Sequence, residues 1–331
     1  MRLRLFVSLS VSQVLHDPRR FAIAALQQQI QFCTTKDGVR IAHASVGNGP
    51  PLVKAAHWLT HVQFDPDSPV WSPWIREFSQ HHRYIRYDER GLGLSDWEPK
   101  DFSFEGWICD LETVVDSLGL EKFDLLGFSQ GSMVSIAYAA RHPERVSRLI
   151  LGGASAKGWR NWNLDPGYLQ RIEAFVTIMK TGWGGNTPFA RRVFTAAFIP
   201  ESTLKQQLWF DELERISSTP ETAVRLLNEV GNVNVESLLP KISAPTLILH
   251  ARGDVVFPFQ LGRELAGKIP NSRFVPLEGN NHIFLEGEPA WDKFLSEIRN
   301  FLEVKETVHE APAKKKNLGL PGWLKGPGNQ D

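Results

Sequence analysis

Cysteine is nearly missing from this sequence: Cys33 and Cys109 are the only two in 331 residues. Two cysteines cannot make a disulfide framework, and their spacing matches no metal site, so both are expected to be packing residues. An excess of charge of either sign is missing as well, because Lys plus Arg and Asp plus Glu each total 37. Without a net field to draw in nucleic acid or an anionic membrane surface, the expected partner is a neutral or weakly polar small molecule. A membrane-spanning run is not found at the start of the chain, where the apolar stretch Leu5 to Val11 is short and carries Ser8 and Ser10. No internal repeat is visible. Residues 1–28 hold early arginines and no acid before Asp17 but lack a convincing cleavage site. They are expected to be an extension outside the fold, with a targeting segment as the alternative and the cytoplasm as the expected location. Residues 305–331, rich in Lys, Pro and Gly, read as a flexible tail. Nothing in the sequence fixes an oligomeric state.

What is present is a regular alternation. A hydrophobic content of 42% suffices for one large α/β domain with an insertion or for two modest domains. "IQFCTTKD" and "VRIAHASVG" flank an Asp37-Gly38 turn signal and predict a β-hairpin. "PLVKAAHW", "YIRYDERG", "FDLLGFSQG", "RLILGGAS", "TLILHARGD" and "RFVPLEGNNH" then read as short strands ending in polar or glycine-containing loops. Helical spacing fills most of the gaps between them, in "VWSPWIREFSQ", "FEGWICDLETVVDSLG", "SMVSIAYAARHP", "QLGRELAGKIP" and "WDKFLSEIRNFLEV". The fold class predicted is α/β, a mostly parallel sheet covered by helices, with ligands expected beyond the carboxyl ends of the strands. From about 157 to 241 the alternation stops and four helical patterns follow one another. That segment is expected to be a helical cap inserted over the carboxyl-end face.

One joint carries the chemistry. Gly127, Phe128, Ser129, Gln130 and Gly131 form G-x-S-x-G between the strand "FDLL" and a helix. In that context the motif is a nucleophile elbow: the turn is too tight for side chains at the flanking glycines, and it projects the hydroxyl above the sheet toward the positive end of the next helix. An ordinary glycine-rich βα turn would share the pattern. A serine hydroxyl needs a base, and the base an orienting acid. His282 in "EGNNHIF" follows the last predicted strand, and Asp254 in "LILHARGD" follows the one before it. The chain order Ser129, Asp254, His282 is the order this architecture requires, and three matching contexts together select the catalytic reading.

On these residues the chain resembles the α/β-hydrolase fold family over roughly residues 29–304. The elbow "GFSQG", the acid of "HARGD" and the histidine of "GNNHIF" match the family's three catalytic positions, and "YDERGLGLSDW" is similar to its loop after the fourth strand. In that loop Asp88, Arg90 and Ser95 are expected to cap the turn. The family's His-Gly plus apolar residue after the third strand is replaced here by Ala56, His57 and Trp58, so the resemblance implies an oxyanion hole from the N–H groups of Trp58 and Gln130, with Leu59 as the one-residue-shifted alternative. His57 and His61 are expected near the site as wall or hydrogen-bonding residues, and His250 in the core. The stretch "HWLTHVQFDPDSPVWSPWIREFSQ" is further similar to hydrolase modules that accompany bacterial regulatory domains.

The expected activity is acyl transfer from a small-molecule carboxylic ester to water, with no cofactor, no metal, no nucleic acid and no stable membrane association. C–C bond hydrolysis, perhydrolysis and a non-catalytic ligand sensor are the alternatives. Trp159, Trp162, Trp183 and Trp209 in the cap, together with His57, are the candidate pocket residues.

Overall fold

In the computed structural model, residues 28–163, 166–183 and 189–303 are described. The expected amino-terminal extension, apart from Gln28, and the expected tail lie outside the described residues. The chain opens with β1 (Gln29–Thr34) and β2 (Arg40–Val46), antiparallel through the Asp37-Gly38 turn with Thr34 opposite Arg40. Six strands follow: β3 (Pro51–Lys54), β4 (Arg83–Tyr87), β5 (Phe123–Phe128), β6 (Val146–Gly152), β7 (Thr246–Ala251) and β8 (Ser272–Leu277). The spatial order is β1-β2-β4-β3-β5-β6-β7-β8, and every pairing from β4 onward is parallel.

Parallel strands need crossovers, which helices supply. These are α1 (Ser72–Ser79) before β4, α2 (Phe104–Ser117) before β5, α3 (Gly131–Arg141) before β6, and α8 (Phe259–Ala266) before β8, with α9 (Pro289–Phe301) closing the fold. Covered on both faces, β5 and β7 bury all six of their residues, which is why they read as continuous apolar runs rather than alternating ones. Each fully buried Leu, Ile or Phe among them contributes about 1.5–3 kcal/mol. Cys33 and Cys109 are both free thiols, half-buried and buried respectively.

Between β6 and β7 the chain leaves the sheet and forms α4 (Pro166–Gly182), α5 (Phe189–Phe198), α6 (Leu204–Ser217) and α7 (Pro220–Asn232). The two ends of this excursion are stitched together. Lys157 and Asn234 form an isolated antiparallel bridge, Gly158 N–H donates to Val233 O at 2.7 Å, and Val235 N–H donates to Ala156 O at 2.8 Å. Thr203 and Thr219 cap α6 and α7 with their hydroxyls, as their positions just before the helical patterns require. Among the described residues no helix is long and apolar enough to cross a membrane.

The strand order reverses at β3, since β4 pairs with one of its edges and β5 with the other. Such a reversal leaves a crevice beyond the carboxyl ends of the strands. The loops after β3 and β5 meet there, and the loop after β4 is bolted beside them. Asp88 accepts N–H bonds from Val62 and Leu94, Ser95 Oγ donates to Asp88 O, and the buried Arg90 pairs with Asp110 at 2.8 Å and Asp37 at 2.8 Å.

Candidate active site

Ser129 sits at the carboxyl end of β5 with φ at +53°. A non-glycine residue there stores roughly 1–3 kcal/mol of strain and persists only where its surroundings over-determine it. They do so here. Its N–H donates to Gly152 O at 3.0 Å, and α3 begins two residues later. A Cβ on Gly131 would lie 2.6 Å from Ala56 O, and one on Gly127 would lie 2.5 Å from Ser135 Oγ and 2.8 Å from Ser132 Cα. Both flanking glycines are therefore required by close approach rather than by their own dihedral angles.

The loops after β7 and β8 bring the second and third predicted residues together. His282 Nδ1 lies 2.6 Å from Asp254 Oδ2. Because a carboxylate only accepts, Nδ1 carries the hydrogen and a neutral imidazole keeps its lone pair on Nε2. That Nε2 is buried and without a hydrogen-bond partner among the described residues, and no hydrogen bond joins it to Ser129. Such contacts commonly tighten only when substrate binds. Phe128, Phe198 and Phe257 surround the imidazole with ring centroids 5.3–5.5 Å away. The cap reaches the same loop through its backbone, since the N–H groups of His282 and Ile283 donate to Phe198 O at 2.9 and 3.3 Å.

Asp254 is fixed at its other oxygen by the N–H groups of Val256 and Phe257. Burial alone would raise its pKa, but the neighbouring imidazoles, His282 through its hydrogen bond and His250 by proximity, outweigh it and hold the carboxyl well below its usual range. His250 is in the core as expected, yet its Nε2 also lies 3.5 Å from Asp254 Oδ2 while donating to Phe257 O at 2.7 Å. The sequence pattern placed His250 on a buried strand; its proximity to the acid depends on how the following loop folds back.

The loop after β3, where the oxyanion donors are expected, holds two surprises. Trp58 N–H is not aimed into open space: it donates to Gln130 Oε1 at 3.0 Å, while the Gln130 amide nitrogen donates to Glu89 at 2.8 and 3.2 Å. Burial pushes Glu89 up to about 8, although the Gln130 hydrogen bond pulls the other way. Leu59, the shifted alternative, makes no N–H hydrogen bond among the described residues.

For His57 the pocket expectation is corrected and the hydrogen-bonding alternative fits: it is not among the cavity's lining residues but is buried, with Nε2 2.6 Å from Lys54 Nζ and its ring against Trp71 and Phe128. Burial, then the charges of Lys54 and His282, hold its pKa well below the ordinary value, so it stays a neutral ring. Lys54, at the end of a strand that reads as wholly apolar apart from it, is itself pulled down to about 7 by burial. His61, expected beside it, is buried and packs edge-on to Phe64 at 6.2 Å.

A cavity of about 590 Å³ opens over Ser129, walled mainly by apolar side chains from the cap and from the loop after β7. Trp159 and Trp162 line it, as does Trp58. The other two cap tryptophans do not, which corrects the expectation. Trp183 stacks on Trp58 at 5.4 Å and donates to Ser218 O, so it fills the base of the cap. Trp209 stacks on Phe64 at 4.2 Å, away from the cavity. Helical periodicity marks a face as apolar but cannot say whether that face meets a cavity or another helix. Tyr168, Phe175 and Phe198, which were not singled out from the sequence, supply more of the wall.

A serine on a strained strand-to-helix turn, a buried His–Asp pair from the last two strand ends and a helical insertion overhead describe a hydrolase built on a helix-covered parallel sheet. Residues 63–289 match the family model of the α/β hydrolase fold, and the chain belongs to that family. It is 28% identical over 282 residues to the AB hydrolase superfamily protein YisY of Bacillus subtilis (strain 168), covering 81% of this chain and 98% of that protein. Among solved structures, an esterase from Exiguobacterium antarcticum (EaEST) matches with a TM-score of 0.69 at 25% identity, over 83% of this chain and 100% of its own. A bromoperoxidase from Bacillus anthracis, at 20% identity, reaches a TM-score of 0.71 over 83% of this chain and 100% of its own and shares the fold.

Proposed function

We propose that the protein hydrolyses a small-molecule carboxylic ester through an acyl-enzyme on Ser129. The observation that carries this reading is the 2.6 Å contact between His282 Nδ1 and Asp254, which leaves Nε2 as the available base beside a cavity that Ser129 lines. His282 takes the Ser129 proton as Oγ attacks the ester carbon, and the carbonyl π pair moves to oxygen. The N–H of Gln130, at the amino end of α3, holds that oxyanion, joined by the N–H of Trp58 as it leaves Gln130 Oε1. Collapse expels the alkoxide, which His282 protonates; water then repeats the cycle on the acyl-enzyme and releases the acid. Asp254 stabilises the imidazolium and fixes its tautomer. The apolar walls suit an acyl or aromatic group, and the likeness to an esterase at 25% identity agrees with ester chemistry.

The test pairs labelling with turnover. A fluorophosphonate is expected to label one residue, Ser129, stoichiometrically, and a panel of activated esters is expected to turn over. Ser129→Ala is expected to fold, to escape labelling and to lose turnover by roughly a million-fold, the scale for a triad acting as a unit. Retention of more than a tenth of wild-type turnover sinks the assignment; labelling with no turnover of any ester points instead to a ligand sensor.

A further inference from the structure

We infer that Glu89 and the Gln130 side chain are positioning residues for the oxyanion hole, a role that rests on the reading just given. Three groups from three separate loops form one line of hydrogen bonds. Trp58 N–H, after β3, donates to Gln130 Oε1; Gln130 Nε2, at the elbow, donates to both oxygens of Glu89, after β4. All three residues are nearly inaccessible, at 6%, 2% and 1% exposure for Trp58, Gln130 and Glu89.

The chemistry of the ends makes the line directional. A primary amide presents an oxygen or an NH₂ group to its neighbour, and only the oxygen can accept a peptide N–H. Glu89 and the Trp58 N–H together decide which way round the amide sits: the N–H needs Oε1 as its acceptor, and Glu89, protonated or not, keeps an oxygen that accepts from Nε2. Glu89 is itself held in place because the adjacent Arg90 and Asp88 are bolted to Asp110 and to the loop after β3. The Trp58 peptide is thereby aimed at the residue whose own backbone N–H is the second oxyanion donor. Its hydrogen then has a short path from an uncharged amide oxygen to a charged substrate oxygen, the stronger acceptor. Gln130 thus contributes twice, by its backbone as a donor and by its side chain as the guide for the other donor.

The experiment compares wild type with Glu89→Leu, Glu89→Gln and Gln130→Met on an activated ester and on a trifluoromethyl ketone, which Ser129 converts to a hemiketal oxyanion. Removing one oxyanion donor outright costs about 100- to 1,000-fold in kcat; a donor that is present but misaimed is expected to cost roughly tenfold to a hundredfold. Glu89→Leu is therefore expected to lower kcat by that factor with KM little changed, and to weaken trifluoromethyl ketone inhibition by the same factor, measured per labelled active site. Glu89→Gln, which still accepts from Nε2, recovers most of the loss. Gln130→Met reproduces the defect, and the double variant with Glu89→Leu is no worse than either single one, because both break the same line. Should Glu89→Leu fail to fold, Gln130→Met against Glu89→Gln makes the same comparison. Equal inhibition per labelled site in wild type and Gln130→Met, or additive losses in the double variant, overturns the inference while leaving the serine hydrolase reading intact. If wild type takes neither label nor ketone, both readings fall together.

Discussion

At Asp254 the carboxylate has every reason to be ionised: two backbone N–H groups hold one oxygen and His282 the other, with His250 close by. Replacing it by an amide keeps the shape and one acceptor but presents an NH₂ where His282 needs an acceptor. Asp254→Asn is expected to fold and to lose turnover on the order of ten-thousand-fold, the scale set by the wrong imidazole tautomer. Comparing kcat with the fraction labelled by fluorophosphonate checks this, and a near-silent substitution removes Asp254 from the mechanism. Single residues were also where sequence reading reached furthest. Ser129, Asp254 and His282 each follow a strand in a short stretch with a strong local signature. Glu89 and Lys54 had no such signature, because what distinguishes them is contact with Gln130, 41 positions away, and with the folded-back ring of His57.

Among elements, the cap is where local pattern and tertiary placement part company. All four of its helical stretches were legible, since 3.6-residue spacing and threonine caps are properties of short segments. Which of its tryptophans meets the cavity was not, because Trp159 and Trp162 lie in or beside a single short turn after the neck whereas Trp183, just past the end of α4, and Trp209, on α6, pack on other aromatics. Trp162→Ala and Trp159→Ala are expected to shift the kcat/KM ratio between long-chain and short-chain esters, on a scale of about 0.8 kcal/mol per lost methylene contact. Trp183→Ala is expected instead to lower stability by roughly 3–5 kcal/mol and leave the ratio alone. Thermal melts and chain-length series on the three variants check the division, and a changed preference in Trp183→Ala alone would reverse it.

Over the whole molecule, the order of strands and helices was legible because a parallel sheet imposes long apolar runs and helical crossovers on the sequence. The burial of charge beneath the sheet's carboxyl edge was not, since Asp65, Asp88, Asp110 and Glu89 look like surface residues until the loops close over them. Their burial makes global stability pH-dependent. Glu89, raised from the ordinary carboxylate range to about 8, binds its proton more tightly when folded, so its contribution is fully present at acid pH and is lost as pH rises toward 8. Glu89→Gln cannot ionise. Its melting temperature is expected to gain on wild type between pH 5 and pH 8, by up to about 1.4 kcal/mol per pH unit in free energy, and the gap should level above that. A gap that stays constant across this range assigns Glu89 an ordinary acidity. The stitched neck of the cap carries a separate consequence for how such a protein diversifies. Since Ala156 to Gly158 and Val233 to Val235 exchange backbone hydrogen bonds, a foreign insert joined at these positions inherits a ready-made socket and leaves the sheet undisturbed. One condition travels with it: the graft has to offer a carbonyl where Phe198 does, or the amides of His282 and Ile283 lose their acceptor and the base its tether.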